Sequence, residues 1–282
     1  MQVKFKGLNL GDDTGIYFIQ SIDGWEDRPD IVNGSAPRSR RNGSMIGGLL
    51  ASKRVITMDL DIASDPANGH TTTMPKRQLR KAMVIDDEEH ELYVDLGYGI
   101  EPEIAFVRVT NFDMPTMPGN VQLAHATIEF VATDPRRYSP SLHTVSSGLQ
   151  TRAPAVAYPI TYPAQYSTAL TNPGEAQAIN TGTDPSSPVF TINGPVSQPS
   201  ITLVDGEGVR TTRFNLSIGL GEALTVDTNE GSVRLNATPL NGADRGALIE
   251  ELTLRPGLTT VRFRGSGNSN ASLVTQWRDA TM

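Results

Sequence analysis

The chain has 282 residues, no cysteine and a formal net charge of −7, so disulfide frameworks and thiolate metal centres are excluded. Any attraction to nucleic-acid phosphate or anionic lipid has to come from a local basic patch, because the whole chain is acidic. Its length predicts two domains, each large enough for a core of its own, and 26 glycines, 19 prolines and only 38% hydrophobic residues fit a turn-rich β protein.

The N-terminal MQVKFKGLNLGDDTGIYFIQ lacks the basic region and apolar run of a secretory signal. No stretch approaches the ~18 uninterrupted apolar residues of a membrane span. The Asn-x-Ser/Thr triplets at Asn33, Asn42, Asn215, Asn236 and Asn270 are therefore read as chance.

Taken in chain order, VKF (3–5) and GIYFIQS (15–21) read as strands. From Trp25 to Ser52 the sequence has no helical period and little strand period. It carries the basic cluster Arg38, Arg40 and Arg41. Segments of this length without a period are commonly functional arms or disordered. RVITMDLDIA (54–63) is the clearest strand, with Ile56, Met58, Leu60 and Ile62 on one face and Val55, Thr57, Asp59 and Asp61 on the other. MPKRQLRKAMV (74–84) predicts a helix capped by Thr73, with Pro75 in its first turn and Leu79, Ala82 and Met83 as its apolar stripe. ELYVDLG (91–97), AFVRVTN (105–111) and LAHATIEFV (123–131) follow as strands.

VATDPRRYSP (131–140) ends this alternation in charge and two prolines. Residues 139–187 then become rich in proline, serine, threonine and tyrosine. Pro154, Pro159 and Pro163 allow only edge strands or extended coil there. Short strands resume at 188–194, 200–205, 212–220, 222–228, 232–236, 258–265 and 272–277, separated by Gly, Asn and Asp turns, the pattern of a β-sandwich. GALIEELTL (246–254) fits a short helix or a strand.

Motifs for chemistry are weak. His70, His90, His125 and His143 show no metal-ligand spacing. Asp86–Glu89 reads as a solvated acidic turn. Asp227–Gly231 resembles the start of a calcium loop but has Thr238 where the twelfth-position glutamate belongs. Gly219-Leu220-Gly221 precedes a strand-like run, so it is no phosphate cradle. Gly43-Ser44-Met45-Ile46-Gly47 has the letters of G-x-S-x-G without the strand and helix that a nucleophile elbow needs. The arginine cluster has no interleaved aromatics and suits an arm reaching acidic surfaces better than nucleic acid. The residues read as a binding or assembly protein with no cofactor and no metal.

The ordered segments GIYFIQS, PRSRRNGSMIGG, RVITMDLDI, QLRKAM, ELYVDL and FVATDPRRY in the first half resemble the distal tail proteins of long-tailed, non-contractile bacteriophages. So do YPITYP, NTGTDPSSPVFTINGP, LGEALTVDT, LTLRPGLTTVRF and VTQWRDA in the second. The resemblance implies a mainly β chain. Residues 1–138 would be a β-sandwich-like ring domain with one short helix and a belt-like arm (about 25–52). Residues 139–282 would be a galectin-like β-sandwich opening on a proline-rich connector. It further implies a structural, non-enzymatic virion protein at the phage tail tip, assembled in the host bacterial cytoplasm. The homohexameric ring would contact the tail tube protein, a tail-tip protein and receptor-binding proteins, with DNA passing through its lumen unbound and no membrane contact. Trp25, Arg38, Arg40, Arg41 and Ile46 would mark the oligomer arm. Asp134, Pro135, Arg136, Arg137 and Tyr138 would mark the boundary between domains. The alternative is a carbohydrate-binding module of a phage or bacterial surface protein; the second half has one tryptophan, Trp277, in its final strand, where core packing is the expected role.

Overall fold

The computed structural model describes residues 1–11, 15–64, 72–116, 123–152, 170–240, 249–267 and 270–282. Contacts divide the chain into two compact units, residues 1–140 with Met282 and residues 141–281. His70, the prolines at 154, 159 and 163, the segment YPITYP and residues 246–248 lie outside the described residues.

In the first unit the strands are β1 (Gln2–Phe5), β2 (Leu8–Gly11), β3 (Tyr17–Asp23), β4 (Ile31–Asn33), β5 (Ala36–Pro37), β6 (Ser44–Met45), β7 (Leu49–Ala51), β8 (Arg54–Ala63), β9 (His90–Asp95), β10 (Glu103–Asp113), β11 (Leu123–Ala132) and β12 (Arg137–Tyr138). Seven of them run in the order β11-β8-β3-β2-β1-β9-β10, and β10 also pairs with β11, so the sheet closes into a barrel. The closing strand does this by length. Its first half pairs with β9, its second with β11, and a bulge between Val109 and Asn111 turns it from one to the other. The sandwich-like layers expected from the sequence are thus one continuous sheet.

Alternation decides which residues fill the barrel. Ile56, Met58, Leu60 and Ile62 of β8 face Ala124, Ala126, Ile128 and Phe130 of β11 in strict register, and all are buried. Helix α1 (Thr73–Ala82) begins one residue after Thr72, which takes the N-cap position expected for Thr73. Leu79, Ala82 and Met83 join the barrel core. The Tyr17 hydroxyl donates to the Pro75 carbonyl at 2.9 Å, and burial pushes its pKa up to about 12.

The second unit has β13 (His143–Gly148), β14 (Thr151–Arg152), β15 (Leu170–Asn172), β16 (Glu175–Asn180), β17 (Val189–Asn193), β18 (Val196–Asp205), β19 (Gly208–Arg213), β20 (Ser217–Ile218), β21 (Ala223–Asp227), β22 (Ser232–Leu235), β23 (Thr238–Pro239), β24 (Gly257–Gly267), β25 (Ser272–Trp277) and β26 (Ala280–Thr281). One sheet runs β13-β25-β17-β21-β22-β23 and the other β16-β24-β18-β19, with β20 paired to β18. Phe190, Ile192, Leu224, Val226 and Leu273 from the first share a core with Ile201, Leu203, Val261 and Phe263 from the second, so the two sheets form a sandwich.

Two sequence expectations change here. The run 212–220 is divided between β19 and β20 because the chain turns at Phe214–Leu216. Strand β18 starts four residues before Ser200 and tolerates Pro199 inside it because a bulge lies between Ser197 and Ser200. At 249–251 the chain forms a 3-10 turn, and Leu254 makes an isolated bridge to Ser186.

Candidate functional site

Between β3 and β8 the chain leaves the barrel as one β-ribbon. Its base is β4 paired with β7, with Ile31 opposite Ala51, Val32 opposite Leu50 and Asn33 opposite Leu49. Its outer part is β5 paired with β6. The Ser52 amide donates to the Asp30 carbonyl at 2.7 Å, Gly34 to Gly48 at 3.2 Å and Arg38 to Gly43 at 3.2 Å, so the ladder continues from base to tip.

The pinch between the two ladders requires glycine. A side-chain carbon on Gly47 would lie 2.1 Å from the Gly34 carbonyl oxygen. This accounts for the G-x-S-x-G letters without any chemistry: Ser44 lies in β6, and no helix follows it.

The ribbon has no core. Ile31, Val32, Met45, Ile46, Leu49 and Leu50 are all exposed, with Ile46 at 97%. Val32 and Leu50 share one face of the ladder, and Ile31 lies on the other, so apolar groups are bare on both. A two-stranded ribbon is marginal by itself in water, and an exposed apolar set of this kind marks a surface made to be covered. At the tip, Arg38, Arg40 and Arg41 are exposed.

The root is built in the opposite way. Trp25 is 1% exposed and belongs to the barrel core, not to the projecting ribbon. Gly24 precedes it at φ +79°, where a side-chain carbon would strike the Val55 carbonyl at 2.0 Å. The buried Arg54 side chain gathers four carbonyls. Its Nη1 faces the oxygens of Gly24 at 2.9 Å, Trp25 at 2.9 Å and Asp27 at 2.6 Å, and its Nε donates to Pro135 at 2.8 Å. Burial, then the Arg137 charge, pull the Arg54 pKa down, while Glu103 and Asp27 counter them.

Arg54 thus ties the start of the arm to the boundary segment. There Asp134 accepts from the Arg136 amide at 3.1 Å, from its guanidinium at 2.9 and 2.8 Å, and from the Tyr138 hydroxyl at 2.5 Å. Burial opposes ionisation of Asp134, but these bonds and the Arg136 charge outweigh it and hold the carboxyl below its ordinary value. Arg137 ion-pairs with Glu103 at 2.8 Å and lies over the Trp25 ring at 5.8 Å. Burial raises the Glu103 pKa against the pull of Arg137 and Arg54. The sequence places Trp25 and Asp134–Tyr138 in separate groups; the fold joins them through Arg54, which carries no signal in the sequence beyond a charge at the head of an apolar strand.

The other candidate motifs resolve as ordinary structure. Asp86 pairs with Lys6 at 2.6 Å and His90 at 2.9 Å, and Glu89 accepts from Thr133. Asp227 accepts from the amides of Asn229 and Glu230, closing a turn. Gly219 donates its amide to Glu222 at 2.6 Å. Trp277 is buried, stacks on His143 with ring centroids 5.4 Å apart and donates to the Ile179 carbonyl. Among the described residues no group of three or more His, Asp or Glu side chains could hold a metal, and no helix is long and apolar enough to cross a membrane.

Neither a protein-family model nor a curated protein matches the sequence. Solved structures do match the fold. The Dit protein (gp 19.1) of phage SPP1, described as a paradigm of the hub adsorption apparatus in phages infecting Gram-positive bacteria, aligns at TM-score 0.61 and 15% identity over 98% of each chain. A chain of the phage P2 baseplate in its activated conformation aligns at TM-score 0.51 and 12% identity, over 98% of this chain and 97% of that one. The mainly β chain, from barrel to sandwich, therefore has the fold of phage tail hub proteins of the Dit kind.

Proposed function

We propose that this protein is a structural hub of a long-tailed bacteriophage, without turnover chemistry. Copies form a closed ring of six at the distal end of the tail tube. The ring joins the tube to the tail-tip protein and the receptor-binding apparatus and leaves a lumen through which DNA passes unbound. The galectin-like sandwich sits at the ring's periphery. The observation that supports this reading is the coreless ribbon on a rigid root. A closed ring built from one chain needs two different patches per subunit, and an apolar ribbon with nothing of its own to cover it supplies the first.

The test is the mass of the purified chain in solution. A hexamer has a mass of about 180 kDa, six times the 30.4 kDa chain. Mass photometry at micromolar concentration should find this species, and negative-stain images should show a ring with six lobes. Monomer alone, both with and without the tail tube protein, would overturn the proposal. A carbohydrate-binding role has weaker support, because Trp277 is buried and presents no ring to a sugar. Hits on a glycan array would revive it.

A further inference from the structure

The outer face of β24, β18 and β19 in the second unit holds a cavity of about 380 Å³ with polar walls. Ser200 and Thr202 of β18 face outward, because Ile201 and Leu203, which alternate with them, are buried. The register puts Arg264 of β24 on one side of Ser200 and Arg213 of β19 on the other. Two strand spacings, about 10 Å, separate those backbones, a gap that two arginine side chains span from its two sides. Both arginines line the cavity, with Gln198, Ser200, Thr211 and Ser266. The outward rows, Arg264–Ser200–Arg213 and Glu175–Arg262–Thr202–Thr211, hold no aromatic ring.

One wall is a strained stretch of chain. Gln198 sits at φ +48° in the bulge between Ser197 and Ser200, a left-handed conformation uncommon for a residue with a side chain. The Gln198 amide donates to the Leu216 carbonyl at 2.8 Å, and the amide of core residue Phe214 donates to Pro199 at 2.9 Å, so the bulge is held from outside. It delivers the Gln198 carboxamide to Arg213, whose Nη2 donates to Oε1 at 2.5 Å. Among the described residues Arg213 meets no carboxylate. Arg264 donates to the Gly174 and Phe263 carbonyls at 2.9 Å and shares Glu175 with Arg262, at 3.3 and 3.0 Å. The three arginines of this face therefore have one carboxylate, and it stands outside the cavity wall. A larger cavity in the first unit, about 510 Å³, lacks this bias, because Glu91 is in its wall and Lys6 is already paired with Asp86.

We infer that this cavity binds a hydroxylated ligand carrying an oxyanion, a phosphate ester or a sugar acid, with Arg213 and Arg264 on the anion and Ser200, Thr211 and Ser266 on the hydroxyls. Guanidinium forks match phosphate and carboxylate oxygens in paired hydrogen bonds. Serine and threonine hydroxyls both donate and accept, as ligand hydroxyls do. With no ring on the face to stack against, charge has to supply what an aromatic platform supplies in a neutral sugar site. The site lies wholly within the second unit, so the inference does not depend on the ring reading.

Saturation-transfer NMR on the full chain tests it with three probes: glucose 6-phosphate, glucuronate and glucose. At least one of the two anions should bind, and the tighter names the group the site takes. Glucose should bind about tenfold more weakly, for want of the charged hydrogen bonds. Arg213→Ala should weaken the anionic probes about tenfold, and Arg213→Lys should recover part of the loss. Ser200→Asp, which sets a carboxylate between the two arginines, should abolish binding. Arg213 is exposed, so its alanine variant should melt within about 2 °C of the unmodified chain and decides the matter even if Ser200→Asp does not fold. Replacing Arg38, Arg40 and Arg41 with alanine removes three guanidinium groups elsewhere and should leave binding unchanged. An equal loss in that control would show general attraction to a cationic surface and overturn the site. Glucose binding as tightly as the anions would overturn the ligand class, and a chain that binds neither anion would overturn the inference outright.

Discussion

Arginines stand at both ends of the arm, in opposite circumstances. At the root, Arg54 is 1% exposed and binds the carbonyls of Gly24, Trp25, Asp27 and Pro135. At the tip, Arg38, Arg40 and Arg41 lie in open solvent on a ribbon with no core. A buried guanidinium is tolerable only when carbonyls or anions satisfy it, so the root is set wherever those four oxygens are set. An exposed arginine has no such demand and is free to meet a partner of its own. The chain therefore fixes where the arm begins and leaves its far end in solvent.

The largest effect should come from breaking the root. Arg54→Ala leaves four carbonyls, that of buried Trp25 among them, without their donor and should lower the stability of the N-terminal unit by about 3–5 kcal/mol. Arg54→Lys should recover part of this, because one ammonium cannot reach both Pro135 and the Gly24–Asp27 turn. Thermal unfolding of the purified chain measures both. A loss under 1 kcal/mol for the alanine variant would place the root's rigidity elsewhere.

A smaller effect is expected at Asp134, where the sign follows from its depressed pKa. Its contribution is fully present above the ordinary carboxylate range and is lost as pH falls through the lower folded value, from about pH 5 downward. Glu103, raised by burial, works in the other direction, and its share declines as pH rises from its ordinary towards its raised value. Asp134→Asn should cost about 1–2 kcal/mol at neutral pH and flatten the acid limb of a plot of melting temperature against pH. An unchanged acid limb would show that other carboxylates carry it.

At the ribbon the barrel should notice little. Gly47→Val forces the two ladders apart at Gly34, so amide exchange at Val32 and Leu50 should quicken while the melting temperature moves by less than about 2 °C. The smallest effect is expected at the tip. Replacing Arg38, Arg40 and Arg41 together with alanine should change stability by less than about 0.5 kcal/mol, because exposed charges away from packed features rarely matter to folding. A large loss there would mean that the tip is part of its own fold, and the contrast between root and tip would fail.

Much of the barrel was legible because its strands have one wet face and one dry face. RVITMDLDIA was bounded correctly at both ends, and LAHATIEFV to within one residue, since alternation is strongest in a strand paired on both sides. Strand β2 was missed because LNLG is four residues long and ends in glycine. Strands β13 and β16 were missed inside a run that reads as connector; each is an edge strand, paired on one side only, so its pattern is weaker. The segment 25–52 was legible as one that breaks the strand pattern, from its basic cluster and its lack of period, but not as a ribbon. A ladder that buries neither face has no reason to alternate.

What the sequence determined by itself was local and periodic. It set which residues face a core, where glycine and proline turn the chain, and where a cationic segment interrupts the pattern. Only the tertiary structure decided the rest. Closure of the barrel depends on β10 exchanging partners across a bulge. Burial of Arg54 depends on carbonyls up to 81 positions away in sequence. The cavity between Arg213 and Arg264 depends on three strands brought into register. Each of these is a long-range pairing, and a pairing is a property of two segments that neither one carries alone.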